Sequence, residues 1–205
     1  MKKFKKLIIF DLDGVLIDSL DNMKFALNQT SKKLKINLKF SQYKKYIGLP
    51  FEKIMKNMGV KDNINSIKKN YIYYSKKNLN KIAISKENLS ILRKLKKFCD
   101  LAVFTSKDKK RTSLILSKYK FFNMVVTSDD IKKGKPSPSG LNKIIKKLKC
   151  RKINVFYVGD SYYDYKAATS AKIKYFHALW GYYKIRNYKK INNLKNLRQI
   201  LDFVK

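Results

Sequence analysis

A chain of 205 residues with 44% hydrophobic and 13% aromatic content has the composition of a folded globule and not of a disordered segment. No apolar run nears the ~18 residues of a membrane span, and the basic start MKKFKKLIIF offers only Leu7 to Phe10 before Asp11 interrupts it, too short for a signal-peptide core; a cytoplasmic protein without a membrane partner is expected. The formal charge of +35 is almost all Lys, spread along the whole chain, with Arg only at positions 93, 111, 151, 186 and 198; solvated helix faces and AT-rich codon drift account for it better than a basic nucleic-acid-binding protein, which would cluster its charge.

The first element is the strand LIIF (7–10), which runs directly into Asp11-Leu12-Asp13-Gly14. From about residue 19 to 82 no run reads as a strand, and helical pieces follow one another at 20–34, near 41–46, at 51–58 and at 62–79. A block of about 60 helical residues exceeds a simple strand-to-strand crossover. An inserted helical domain over 18–82 is therefore expected, with the remaining core formed by 1–17 and 83–205.

After the insertion, strands and helices alternate. Helix 87–98 carries Leu89, Leu92, Leu95 and Phe98 at helical spacing, and DLAVFT (100–105) follows as a strand. Helix 108–119 opens at Asp108, strand NMVVT covers 123–127, and helix 138–149 opens near Ser137. Strand NVFYVG (154–159), helix 163–171 and strand KYFHAL (174–179) complete the order. This alternation predicts an α/β fold, a doubly wound parallel sheet with a Rossmann-like core and an inserted α-helical cap.

Such sheets place their sites at the carboxyl ends of the strands. The polar residues at those ends are Asp11 and Asp13, then Thr105-Ser106-Lys107, then Gly134-Lys135, then Asp160-Ser161 with Asp164 four residues on. Carboxylates gathered in one place repel one another unless a cation neutralises them. An oxygen-only donor set, without His or Cys, suits Mg²⁺. Lys135 and the small donors at Thr105 and Ser106 fit an anion instead. Together these are the parts of a phosphoryl-transfer site. Cys99 and Cys150, with no metal-type spacing, read as free thiols of a reducing compartment, and His177, the only histidine, reads as a core or edge residue.

DLDGVL, the Thr-Ser pair after an apolar strand, GKPSP and GDSYYD resemble, in order, the four motifs of the haloacid dehalogenase superfamily, specifically its phosphatases with a helical cap inserted after the first motif. The resemblance covers the whole chain and implies roles. Asp11 would be the nucleophile that forms an aspartyl-phosphate, and Asp13 the general acid and then base. Asp11, the backbone carbonyl of Asp13, Asp160 and Asp164 would hold Mg²⁺. Thr105, Ser106, Lys135 and Gly14 would bind phosphate, Lys135 also balancing the charge of Asp11.

The resemblance also implies a substrate class: a small phosphorylated metabolite, 2-phosphoglycolate-like, hydrolysed by a monomer or homodimer. Gly48-Leu49-Pro50 looks like the turn that phosphoglycolate phosphatase-like members lower over the site, and Lys53 and Lys107 are candidates for the non-reacting end of the substrate. Trp180-Gly181-Tyr182 matches a family loop near the site, with packing as its expected job. A sugar-phosphate mutase or a pyrophosphatase is the alternative on the same scaffold. Mutase-like members usually carry His twelve residues after the nucleophile, where this chain has Met23, and Lys172 stands where relatives often have Gly.

Overall fold

The structure is a computed structural model that describes residues 5–184 and 191–204. Strand β1 (Lys6–Phe10) is apolar on both faces, and Leu7 to Phe10 are fully buried. Such a strand belongs in the middle of a parallel sheet covered on both sides. It lies there, in a six-stranded parallel sheet of order β3-β2-β1-β4-β5-β6, with β2 at Cys99–Phe104, β3 at Met124–Val126, β4 at Val155–Gly159, β5 at Lys174–Ala178 and β6 at Asn192–Leu194.

The two-residue period of the strands sorts their side chains into two layers. Ile8 and Phe10 of β1, with Leu101, Val103 and Val158, face helix α5 (Lys86–Lys96) and the last residues of α6 (Lys109–Leu116). Leu7 and Ile9, with Ala102, Phe104 and Tyr157, face α7 (Ser139–Lys147) and α8 (Tyr162–Ala171). The small residues Ala167, Ala168 and Ala171 let α8 lie close to the sheet. That helix stops on Lys172, which adopts the left-handed conformation (φ 57°, ψ 47°) that glycine usually takes, at a cost of roughly 1 kcal/mol.

Between β1 and α5 come four α-helices: α1 (Leu20–Leu34), α2 (Phe40–Lys44), α3 (Phe51–Asn57) and α4 (Ile64–Lys77). They bury their own apolar cluster, including Met23, Leu27, Tyr43, Phe51, Ile54 and Tyr71. Asn22 and Ser75 tie α1 to α4 by two hydrogen bonds, Asn22 Nδ2 to the Ser75 carbonyl at 2.8 Å and Ser75 Oγ to Asn22 Oδ1 at 2.6 Å. Arg111 of α6 reaches across to this unit. Its Nη1 donates to Ser75 Oγ at 3.2 Å, its Nε to the Asp108 carboxylate, and its guanidinium stacks over the Tyr71 ring. Among the described residues no helix is long and apolar enough to cross a membrane.

Three local readings of the sequence change. Strand β6 was not anticipated, because Asn192-Asn193-Leu194 buries only Leu194 and owes its conformation to pairing with β5. Phe98 lies beyond the end of α5 and is 48% exposed, so the buried stripe of that helix is Ile91, Leu92 and Leu95. Helix α6 stops at Leu116, three residues early, and Tyr119 instead stacks on Phe121.

Two outcomes test this packing. Ile9→Ala, in the middle of β1, should cost ~2–5 kcal/mol in a denaturant titration, the range for truncating a buried aliphatic side chain. A loss below ~1 kcal/mol would contradict burial on both faces of the sheet. The second concerns Asp108. Burial alone would raise its carboxyl, but the Arg111 guanidinium and amide outweigh this and hold it below its ordinary value. A depressed carboxyl adds stability above its unfolded pKa and loses it as pH falls through the folded one. Asp108→Asn should therefore lower the melting temperature at pH 7, consistent with ~3–5 kcal/mol for breaking a buried pair. The gap from wild type should close as pH drops below about 4, the ordinary carboxylate range; a gap that stays constant from pH 7 to 3 would refute the assignment.

Candidate active site

All six strands run parallel, so the loops after β1, β2, β3 and β4 emerge at one edge of the sheet. Asp11 extends β1 by one residue, its N–H donating to the Val158 carbonyl at 2.8 Å, and it is 3% exposed. The chain then turns sharply at Gly14 (φ +84°), where the N–H donates to the Ile17 carbonyl. A side chain at Gly14 would place its Cβ 2.3 Å from Asp160 Oδ2, so glycine serves both the turn and the close approach of Asp160.

Lys135 arrives from the loop before α7 and is fully buried. Its Nζ lies 2.7 Å from Asp11 Oδ1 and 2.7 Å from Asp164 Oδ1, with the Phe104 and Tyr157 rings beneath it. Asp164 is held in the first turn of α8 by a reciprocal capping pair with Ser161, and its Oδ1 also accepts the Tyr157 hydroxyl at 2.6 Å. Asp160 accepts the Tyr182 N–H at 2.6 Å and pairs with no cation among the described residues.

Carboxylate oxygens of Asp11, Asp160 and Asp164 lie within 4.8 Å of one another, all three residues buried. Their charges are unequally supported. Burial pushes Asp11 up to about 7, against the opposing pull of Lys135. Asp160 is raised well above its ordinary value by burial and by the neighbouring Asp164 and Asp11. Asp164 goes the other way: burial would raise it, but Lys135, Ser161 and Tyr157 outweigh that. Once all three are ionised they leave two negative charges against the single ammonium of Lys135, the amount one divalent cation neutralises. The donors are all oxygens and lie close enough to share one ion. The cluster fits Mg²⁺, a hard cation that binds carboxylates.

Asp13 faces a different set of partners. Its Oδ1 accepts the Ser19 hydroxyl and lies 2.9 Å from Lys107 Nζ, both partners buried. Lys107 is thus drawn to a carboxylate at the end of β1. Thr105 is fully buried, with its N–H on the Val126 carbonyl and its Oγ1 accepting the Lys107 N–H. Ser106 Oγ donates to the Gly48 carbonyl at 2.6 Å, which fastens the helical unit to the sheet edge.

These contacts enclose a small pocket, with about 40 Å³ of room for the centres of water-sized groups. The sheet edge contributes Asp11, Asp13, Thr105, Ser106, Lys107 and Arg111 to its wall. The helical unit contributes Gly48, Leu49, Met23, Tyr43 and Tyr71 among others. Pro50 packs against Gly134 instead of lining the pocket, and Lys53 is exposed on α3 away from it. Lys135, Asp160, Asp164 and Gly14 stand outside this wall, with Lys135 and Asp164 joined to Asp11 through the ion pairs.

His177 is buried between the Tyr175 hydroxyl at 3.2 Å and the Tyr183 carbonyl at 3.0 Å, as a core histidine. Trp180 donates to the Val15 carbonyl, and Tyr182 accepts the Ser19 N–H on its hydroxyl, so this loop braces the turn after β1 as well as holding Asp160. Sequence reasoning missed Arg111, Tyr43, Tyr71 and Tyr157. For Tyr157 a signal existed: on alternate faces of β4 it points to the layer that holds Phe104. For Arg111 the only hint was one guanidinium in a helix otherwise charged by Lys.

Residues 8–178 match the sequence profile of the haloacid dehalogenase-like hydrolases. The chain is 31% identical over 194 residues to the phosphoglycolate phosphatase of Aquifex aeolicus, across 89% of this chain and 88% of that protein. It is 25% identical over 191 residues to the pyrophosphatase PpaX of Oceanobacillus iheyensis, across 89% and 87%. Its fold superposes on a haloacid dehalogenase-like family hydrolase from Streptococcus pneumoniae with a TM-score of 0.85 at 20% identity, over 98% and 99% of the two chains. With the profile covering most of the chain, and Asp11 and Asp164 of two separate motifs meeting on the buried Lys135 of a third, the protein belongs to the haloacid dehalogenase-like hydrolase family.

Proposed function

We propose that this hydrolase is a Mg²⁺-dependent, cytoplasmic phosphatase of small phosphomonoesters, acting through an aspartyl-phosphate on Asp11 beneath a helical cap formed by residues 18–82. The observation that carries the reading is the different company of Asp11 and Asp13. Asp11 sits at the acidic cluster with Lys135, where the ammonium, and a cation if one is bound, would favour the ionised carboxylate for attack. Asp13 stands apart from that cluster, against Ser19 and Lys107, where it can exchange a proton with the leaving oxygen.

In the first step an Asp11 oxygen bonds to phosphorus while the bond from phosphorus to the ester oxygen breaks, and Asp13 gives its proton to the departing alcohol. In the second, Asp13 takes a proton from water as the water oxygen bonds to phosphorus and Asp11 leaves as the carboxylate. Thr105 and Ser106 hold phosphate oxygens, and Lys135 keeps Asp11 aimed and its charge balanced. Asp11, Asp160, Asp164 and the carbonyl of Asp13 would hold Mg²⁺, which supplies charge neutralisation at the phosphoryl oxygens. The Gly48-Leu49 turn closes over the pocket and limits the substrate to a compact molecule.

A 2-phosphoglycolate-like ester fits the small pocket and the name of the Aquifex relative; pyrophosphate fits the name of the Oceanobacillus one. A mutase is the weaker reading, because the residue twelve positions after Asp11 is Met23, which lines the pocket and has no proton to exchange.

Asp11→Asn should cut kcat on p-nitrophenyl phosphate by about a thousandfold or more with an unchanged circular dichroism spectrum. Substantial remaining turnover would falsify the nucleophile assignment. Chelation with EDTA should stop turnover and added Mg²⁺ restore it, whereas recovery with Zn²⁺ alone would sink the oxygen-donor reading. A kcat/KM screen over phosphorylated metabolites then ranks the substrates.

A further inference from the structure

Of the two cations among the described residues of the pocket wall, Lys107 and Arg111, only Arg111 holds neither Asp11 nor Asp13. Lys135 is committed to Asp11 and Asp164, and Lys107 to Asp13. Arg111 lies one helical turn beyond the Thr105–Lys107 loop, lines the same pocket as Asp11 and Asp13, and is 6% exposed. We propose that Arg111 receives a second anionic group of the substrate, a carboxylate or a phosphate, on the far side of the scissile bond. The inference rests on the phosphatase reading above and deepens it, because it names the substrate class as compact phosphoesters or phosphoanhydrides with a second negative charge.

As a mere fastener between α6 and α4 this arginine is a poor choice. A buried ion pair roughly cancels its own desolvation cost, and apolar side chains would hold the same seam at least as well. At a pocket wall the same charge has a use. A guanidinium carries five N–H groups in a planar fork, a shape that matches carboxylate and phosphate. Asp108 engages Nε, Ser75 engages Nη1, and the Tyr71 ring lies under the guanidinium, 5.1 Å from its central carbon. These fix the plane of the fork and leave N–H groups over for a ligand.

Beside it, Tyr43 donates its hydroxyl to that of Tyr71 at 3.2 Å, and both rings line the pocket. Burial raises both phenols, so both stay neutral near neutral pH. The wall thus combines a locked cation and the Tyr71 hydroxyl, which accepts from Tyr43 and keeps its own proton to donate, a combination that recognises an anion. The pocket is small, which places this wall only a few atoms from the reacting phosphorus.

The test compares three substrates with the full chain in Mg²⁺: 2-phosphoglycolate, pyrophosphate, and ethylene glycol monophosphate, which has a neutral hydroxyl in place of the carboxylate. Wild type should favour at least one of the charged substrates over the neutral ester in kcat/KM. In Arg111→Gln that preference should fall about tenfold or more, mostly through KM, and in Arg111→Lys by less, because the charge survives without the fork. Asp108→Asn/Arg111→Gln, which leaves no lone buried carboxylate, should show the same fall if Arg111→Gln folds poorly. The charged substrate that loses most identifies carboxylate or phosphate as the natural second group. Equal losses on charged and neutral substrates, or no wild-type preference, would overturn the role of Arg111 while Asp11-dependent turnover of the neutral ester leaves the phosphatase reading standing. No Asp11-dependent turnover of any of the three would overturn that reading and the inference with it.

Discussion

The ammonium of Lys135 is buried between two carboxylates, 2.7 Å from Asp11 and 2.7 Å from Asp164. Moving a lone ammonium out of water costs several kcal/mol, and a lone carboxylate costs as much. Each of these groups is tolerable only because the others are in place. The bridge joins the end of β1, the loop before α7 and the first turn of α8, so it fixes three separate segments at the sheet edge. Asp160 is left as the acid without a cationic partner among the described residues, and the excess negative charge makes the edge a place for a divalent ion.

The same economy separates the two aspartates of the first loop. They are two residues apart in the chain, and the turn at Gly14 sends them to different neighbours. Asp11 points to the Lys135 bridge, whereas Asp13 meets Ser19 and Lys107 at the mouth of the helical unit. Different neighbours give the two carboxylates different company, Asp11 an ammonium within an acidic cluster and Asp13 a hydroxyl and an ammonium at the pocket wall.

The helical unit contributes by closing over this edge. Ser106 to Gly48 and Arg111 to Ser75 are among the hydrogen bonds that reach across the seam at the pocket, and Pro50 packs on Gly134 beside them. Water is thereby confined to a small volume in which charges act more strongly on one another. Arg111 contributes to both the seam and the pocket wall, so closure and recognition of an anion share one side chain.

The sequence by itself determined the parallel sheet, the position of the four-helix insertion and the strand-end residues. The reason is local: two-sided apolar runs such as LIIF, the helical spacing in 20–34 and 62–79, and polar residues placed directly at strand ends are all visible along the chain. Packing between distant segments decided the rest. Strand β6 exists through its pairing with β5, Lys107 turned toward Asp13, and Tyr157 and Tyr182 became supports of Asp164 and Asp160. Arg111 shows the limit most clearly. Its neighbours in sequence make it one more base on a helix, and only the meeting of α6 with α4, 36 residues apart at Ser75 and Arg111, makes it a buried cation in a pocket. Burial and partner choice depend on which surfaces meet in three dimensions, and that information is not carried by any short stretch of chain.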